Sequence, residues 1–480
     1  MNQEASAAIA LEQQSHQSTP TSLWQELKKA IGGTEADYTQ INLGKAIFLL
    51  AIPMILELVM ESTFALVDIY FVSALGPSAV AAVGLTETYM FLLYSIAMGL
   101  AMAVTAIVAR RIGEKHSEDA SRTAIQAIVL AALASLPFAV VGIFFAKDLL
   151  TLMGADAWTL EHGYRYTQWM LGGNIVIMLL FVINAIFRGA GDPAIAMRVL
   201  WVANGINIIL DPILIFGWGP FPEMGIAGAA IATNIGRGVG VLMQLWLLFK
   251  GGKHIRAQRT HLRFHGETVS NIIRTSLGGI GQMIIGTTSW LFVMRIIAEF
   301  GSQAVAGATI ALRIMMFTLM PAWGMSNAVA TLVGQNLGAQ KPERAERAVW
   351  VTGFWTMILL IGVSIFYFLF GKNLVGLFTQ EAEVIAIGGK WLTIVSYSYF
   401  VYAWWMVAVQ AFNGAGDTAT PTKINFFFFW LLQIPLAYLL AKTLGLSYTG
   451  VFWAIFISET AAGLFTLWLF KRGGWKTVKV

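Results

Sequence analysis

Three acidic residues stand inside a stretch that is otherwise apolar. Glu57, Glu61 and Asp68 are spaced 4 and 7 apart. On a helix of 3.6 residues per turn they fall within about 20° of a common stripe. A second apolar run carries Asn204, Asn207 and Asp211, spaced 3 and 4, again on one face. A third carries Thr233. Two carboxylates, an amide and a hydroxyl are hard oxygen donors. Asp68, Asn207, Asp211 and Thr233 therefore suit Na⁺, or a carboxylate pair that shares a proton. A carboxylate at the centre of a membrane helix costs about 2.5–3.5 kcal/mol, so it marks a functional site by default. Glu61 lies between the other two acids, placed to relay protons or to face a cleft. Glu57 lies near one end of its run, within reach of water. Pro53, one turn earlier, removes a backbone hydrogen bond and is a candidate hinge.

The elements that hold these residues are membrane spans. The chain of 480 residues is 57% hydrophobic and 12% charged, about half the charge of a soluble domain. Its 47 Gly, 31 Phe, 17 Trp and 20 Met fit helices packed in lipid with aromatic belts. Cysteine is absent, which excludes disulfides, thiolate metal sites and cysteine catalysis. The net charge of +5 resides in short loops and does not point to nucleic acid. No P-loop, HExxH or GxSxG motif occurs. An enzyme is not expected, and an ion gradient is the expected energy source.

Twelve runs are long enough to cross a bilayer: 46–72, 85–109, 123–146, 166–187, 195–218, 226–249, 275–298, 311–335, 349–371, 391–412, 424–441 and 450–470. With the N-terminus placed in the cytoplasm, Lys and Arg number 23 inside against 5 outside. That bias predicts cytoplasmic termini and an even span count. Asp68, Asp211 and Thr233 then lie about 10–12 Å below the outer ends of the first, fifth and sixth spans.

The chain repeats itself at an offset of 225. Ala79-Val80-Ala81 recurs as Ala304-Val305-Ala306, and Gly189-Ala190-Gly191-Asp192 as Gly414-Ala415-Gly416-Asp417; Gly76, Gly113 and Gly225 recur as Gly301, Gly338 and Gly450. Six spans per repeat restore the starting side, so the repeats are parallel, about an axis normal to the membrane. The expected fold is an all-α polytopic membrane protein of twelve helices, two six-helix lobes forming a V around a cleft. Its segments are a cytoplasmic tail (1–44), an N-lobe with the cation site (45–250), a basic linker (251–274), a C-lobe (275–472) and a short tail (473–480). Residues 1–20 have a disordered composition, and Ser22–Ile31 reads as an amphipathic surface helix. No cleavable signal is visible, so the first span directs insertion.

In the second repeat, Met316, Tyr402 and Trp405 belong to Met-rich and aromatic clusters that suit a cleft repacking around varied apolar cations. Arg313 and Arg295 fall near the outer surface, where arginines snorkel. Glu459 follows Ser458, the repeat-mate of Thr233, without an acidic partner in reach.

The runs LGKAIFLLAIPMILE (43–57), LVDIYFVSALG (66–76), FRGAGDP (187–193) with its echo FNGAGD (412–417), and GIAGAAIATNIG (225–236) resemble the multidrug and toxic compound extrusion family over residues 40–472. The resemblance implies that Asp68, Asn207, Asp211 and Thr233 form the coupling site, with Tyr166 from the fourth helix joining it. Glu61 stands where a Gln is common. The NorM-like branch has a carboxylate on the seventh helix, where this chain has Gly286. The chain looks closer to the DinF-like branch, and Arg313 matches an Arg early in that branch's eighth helix. The implied function is a secondary antiporter in the inner membrane, a functional monomer without cofactors. It would export cationic amphipathic compounds in exchange for H⁺ or Na⁺. The alternative within the superfamily is a lipid-linked oligosaccharide flippase, which tends to fourteen spans and a basic cavity. A channel would need a continuous polar pore, and a membrane enzyme a polar constellation on both lobes or near one interface.

Overall fold

The computed structural model describes residues 23–34, 36–251 and 255–480. The 1–20 stretch read as disordered lies outside the described residues. A surface helix, Leu23–Gly32, precedes the spans, with Trp24 exposed and Ala30 buried. Twelve long apolar elements follow. The N-terminal repeat holds α1 (Leu43–Ser73), α2 (Pro77–Gly113), α3 (Ser117–Leu152), α4 (Thr159–Ala190), α5 (Pro193–Phe216) and α6 (Ile226–Lys250). The second holds α7 (Gly266–Ala298), α8 (Ser302–Gly338), α9 (Pro342–Gly376), α10 (Ala382–Ser396 and Tyr399–Ala415, bent by 62°), α11 (Ala419–Thr443) and α12 (Ser447–Lys471).

Several helices are longer than their apolar runs. α2 and α8 have 37 residues each, about 55 Å, against a hydrocarbon core of about 30 Å. They continue into polar collars because no stop signal intervenes before Gly113 and Gly338. α7 likewise begins at Gly266, inside the basic linker, where His265 accepts from the Thr268 N–H and caps it. Proline at the first helical turn starts α2, α5 and α9, its missing N–H being one the helix does not use there.

The 225-residue repeat is written into the backbone. Gly76 and Gly301 both take φ of 101°, Gly191 and Gly416 take 91° and 89°, and Lys115 and Gln340 take 63° and 56°. The last pair is unusual, since non-glycine residues rarely adopt the left-handed region. α4 and α10 also break within one residue of matching places, at 173–174 and 397–398.

Each lobe has its own core, one reaching from Val72 to Ile272 and the other from Val293 to Ile455. The lobes meet at the end that carries Arg110, Arg111, Lys341 and Arg344. There the repeat-mates Gly113 and Gly338 touch: a Cβ on Gly113 would lie 2.0 Å from the Gln335 carbonyl oxygen, and one on Gly338 2.2 Å from that of Arg110. Residues 110 and 335 are themselves repeat-mates, so the pseudo-two-fold axis passes through this contact. α1 changes allegiance along its length. Ala46, Ile47, Leu50 and Met54 pack on Ala328, Leu332 and Ala348 of the C-lobe, whereas Phe64 faces the N-lobe arginine Arg237. The helix runs unbroken through Pro53, and contacts with the C-lobe continue beyond it, Ile55 lying against Gly324 and Ser62 donating to Met320 Sδ at 2.9 Å.

Both ends of the chain cross this closed end. Lys341 donates to the Thr39 carbonyl at 3.0 Å, Arg344 donates to the carbonyls of Tyr38 and Ile41, and Tyr38 lies against Gly191 of the other lobe. Burial pushes the Asp37 carboxyl up, but the Thr39 hydroxyl and N–H outweigh it and hold it below its ordinary value. From the other terminus, Lys476 pairs with Glu346 of the C-lobe. Arg110 donates to the Val478 carbonyl at 2.7 Å and Arg111 to a Val480 backbone oxygen at 3.0 Å.

Candidate functional site

The face of α5 that carries Asn204, Asn207 and Asp211 is turned inward, the three being 1%, 2% and 0% exposed. α6 packs along it because Gly236 lets the helices close: a Cβ there would meet the Ala203 carbonyl oxygen at 2.5 Å. That approach brings Thr233 to Asn207. The Asn207 amide donates to Thr233 Oγ1 at 3.1 Å and to Asp211 Oδ1 at 3.3 Å. Asp68 of α1 lies within electrostatic reach of Asp211, and buried Tyr166 of α4 within reach of Asp68. Three buried oxygens here have no hydrogen-bond partner: Asp68 Oδ1, Asn207 Oδ1 and Asp211 Oδ2. Buried acceptors left unmade are costly, and a proton or a small hard cation bound among them would satisfy these oxygens. Among the described residues, no three His, Cys, Asp or Glu side chains group into a metal site. A cation would have to use the amide and hydroxyl oxygens as well.

Glu61 is joined to this cluster from the side. Asn204 donates to its Oε2 at 3.1 Å and Arg237 of α6 to its Oε1 at 3.1 Å. Arg237 is 5% exposed and rests over the Phe64 ring at 5.6 Å. Neither Arg237 nor Glu87 of α2, which acts electrostatically on both Asp68 and Arg237, stood out in the sequence as functional. The available signal was the spacing of 4 between Thr233 and Arg237, which puts both on one face.

Glu57 departs from expectation. Instead of facing water it is 7% exposed. It accepts from Arg188 at 3.0 Å and from Asn184 at 3.4 Å, and Gln244 donates to Asn184 behind it. The repeat-mates of Glu57 and Arg188 are Gln282 and Asn413, and these bond in the same way, Asn413 Nδ2 donating to Gln282 Oε1 at 3.3 Å. An ion pair in one lobe is thus an amide pair in the other. Between them lies a cavity of about 200 Å³. Its lining includes three pairs of repeat-mates, Met102 with Asn327, Thr105 with Ala330, and Arg188 with Asn413, which places it on the pseudo-two-fold axis.

The C-lobe has no matching acidic cluster. The mates of Asp68, Asp211 and Arg237 are Val293, Leu436 and Ala462. Glu459 is buried and accepts from Ser398 at 3.0 Å. The Tyr402 and Trp405 rings meet at a tilt of 32° with centroids 5.1 Å apart, and Trp405 meets Phe429 at 5.9 Å. Arg313 and Met316 are exposed on α8, outside the cavity lining.

A family model described as MatE matches residues 53–213 and 280–439, the two repeats in turn. A probable multidrug resistance protein, YoeA, of Bacillus subtilis is 26% identical over 442 residues, covering 91% of this chain and 95% of that protein. An FAD transporter of Shewanella oneidensis is 26% identical over 435 residues, covering 90% and 95%. A crystal structure of a MATE protein in complex with MaL6 superimposes with a TM-score of 0.85 at 27% identity, over 92% of this chain and 98% of that one.

Proposed function

Because the chain belongs to the MatE family and is a multi-pass membrane transporter rather than an enzyme, we propose that it is a secondary antiporter, exporting amphipathic organic compounds in exchange for H⁺ or Na⁺. The observation that carries this is the set of unpartnered buried oxygens on Asp68, Asn207 and Asp211. They lie inside one lobe, beside the cavity rather than in it. Relatives with different named cargoes, drugs in one and FAD in another, support export of small molecules without fixing which. The basic loops at the closed end support an inner-membrane topology with both termini cytoplasmic. Gly286 on α7, where the NorM-like branch has a carboxylate, supports the DinF-like branch. We take the working unit as a monomer without cofactors.

The ion acts through charge neutralisation. With Asp68 and Asp211 ionised, the lobe must stay hydrated around them. Binding of H⁺ or Na⁺ removes that requirement. α1 then bends at Pro53, and the cleft repacks to release cargo. One inward charge supplies about 2.3 kcal/mol per 100 mV, enough to shift a two-state equilibrium roughly fiftyfold. Proteoliposomes tested with ethidium under separately imposed ΔpH and ΔNa⁺ should show uptake with one of them. No movement of ethidium or any other amphipath under either gradient would reject the antiporter.

A further inference from the structure

Two short segments lie across the closed end, and each touches both lobes. The first, 37–41, precedes α1. Tyr38 is 2% exposed and belongs to the apolar cluster of Leu332 and Ala348 in the C-lobe. Its ring also covers Gly191 of the N-lobe, where a Cβ would lie 2.8 Å from Tyr38 Cε2. The backbone oxygens of Tyr38, Thr39 and Ile41 accept from Arg344 and Lys341 of the C-lobe. Asp37 is within electrostatic reach of Lys115 from one lobe and Lys341 from the other. The second segment, 478–480, follows α12. Val480 packs on the N-lobe core and covers Gly416 of the C-lobe, where a Cβ would lie 2.0 Å from Val480 Cγ1. The backbone oxygens of Val478 and Val480 accept from Arg110 and Arg111 of the N-lobe.

Gly191 and Gly416 are repeat-mates with φ of 91° and 89°. Each segment thus seats a side chain on one of two equivalent turns and accepts from cations of the lobe opposite that turn. The repeat-mates Gln335 and Arg110 cross beside them, Gln335 donating to the Gly189 carbonyl at 3.1 Å and Arg110 to the Ala415 carbonyl at 3.5 Å. The turns are duplicated by the repeat, but the segments that cover them are not, since Arg263 stands 225 residues after Tyr38. We propose that the two segments are a pair of crossed clasps that hold this end shut and set the balance between the transporter's two access states. Their bonds span both lobes and exist only while the lobes meet here. A contact made in one state and lost in the other shifts the equilibrium by its own free energy. Losing a clasp therefore moves population toward the state open at this end, with the cavity wall and the Asp68 cluster untouched. The inference rests on the transporter reading in taking the cavity to open to each side in turn, and it needs no particular ion or cargo.

The test uses the full-length chain with a single cysteine, Asn327→Cys, in the cavity wall. Its reaction rate with an impermeant maleimide is measured in vesicles of either orientation, so that the reagent arrives from the open end or from the closed end. Adding Tyr38→Ala should raise the closed-end rate by about fivefold or more without raising the open-end rate. Tyr38→Phe, which keeps the ring on Gly191, should change neither rate by more than about twofold. Val480→Ala should act in the same direction as Tyr38→Ala through the other clasp. An unchanged closed-end rate in Tyr38→Ala overturns the proposal, and an unchanged rate in Val480→Ala overturns the pairing. A rise from both sides together also overturns it, because that is the behaviour of a loosened protein. Equal rates from the two sides before either clasp is altered would show that this end is not sealed, with the same consequence. Ethidium movement under one gradient, without a selective closed-end change, would remove the clasps and leave the exporter standing. A selective change without movement of any amphipath under either gradient would do the reverse.

Discussion

Asp211 is fully buried with one oxygen bonded to Asn207 and the other to nothing. Asp68, partly buried across the helix interface, also has one buried oxygen, Oδ1, without a partner. If these oxygens receive the coupling ion, Asp68→Asn and Asp211→Asn should each lower gradient-driven export by about tenfold or more, since a group that cannot be charged cannot report the ion. Equal expression and unchanged thermal stability must accompany the loss. Full export by the Asp68→Asn protein would remove it from the site. These residues were legible from sequence because a carboxylate in an apolar run has no cheap explanation. Arg237 was not, because a lone arginine reads as a snorkelling side chain. Its partner Glu61 lies 176 residues away. Glu57 was misjudged for the same reason: only the fold brings Arg188 to it.

At the scale of elements, hydropathy finds where lipid is and not where a helix stops. Twelve apolar runs located the twelve spans, but α2 and α8 overrun theirs, and α7 starts nine residues before its run. The breaks in α4 and α10 were also hidden. Gly172-Gly173 offers a hint, whereas Tyr397-Ser398 offers none, and the tertiary packing decides. Pro53 was visible, but its meaning depends on contacts that only the fold shows, since beyond it α1 touches both lobes, Ser62 reaching Met320 and Glu57 reaching Arg188. Restoring the missing N–H straightens and stiffens a helix at that point. Pro53→Ala should therefore reduce turnover several-fold while leaving substrate KM within about twofold, the pattern of a lost transition-state interaction. Measured initial rates would show it; a raised KM at unchanged turnover would instead place Pro53 at the binding surface.

For the whole molecule, the pseudo-two-fold axis joins three observations: the Gly113–Gly338 contact, the paired cavity walls, and the acidic cluster present in one lobe only. The fold and its repeat were readable because internal symmetry survives as identical residues at turns. The cavity was not, since it is built from residues in seven helices of both lobes. The basic loops predict the orientation in the membrane. Single cysteines at positions 115 and 341 in this cysteine-free chain should resist an impermeant maleimide added outside intact cells and react after permeabilisation. Labelling of position 115 from outside would invert the topology.

The C-terminal segment grips the opposite lobe through backbone oxygens, those of Val478 and Val480, while Lys476 keeps hold of its own lobe through Glu346. A contact of that kind is a tape measure. The identity of the side chains along it matters little, and the number of residues between Lys476 and Val478 matters a great deal, since each adds up to about 3.5 Å of reach. Whenever the lobes part at this end the tape must come free or go taut, so its length bounds how far they can swing.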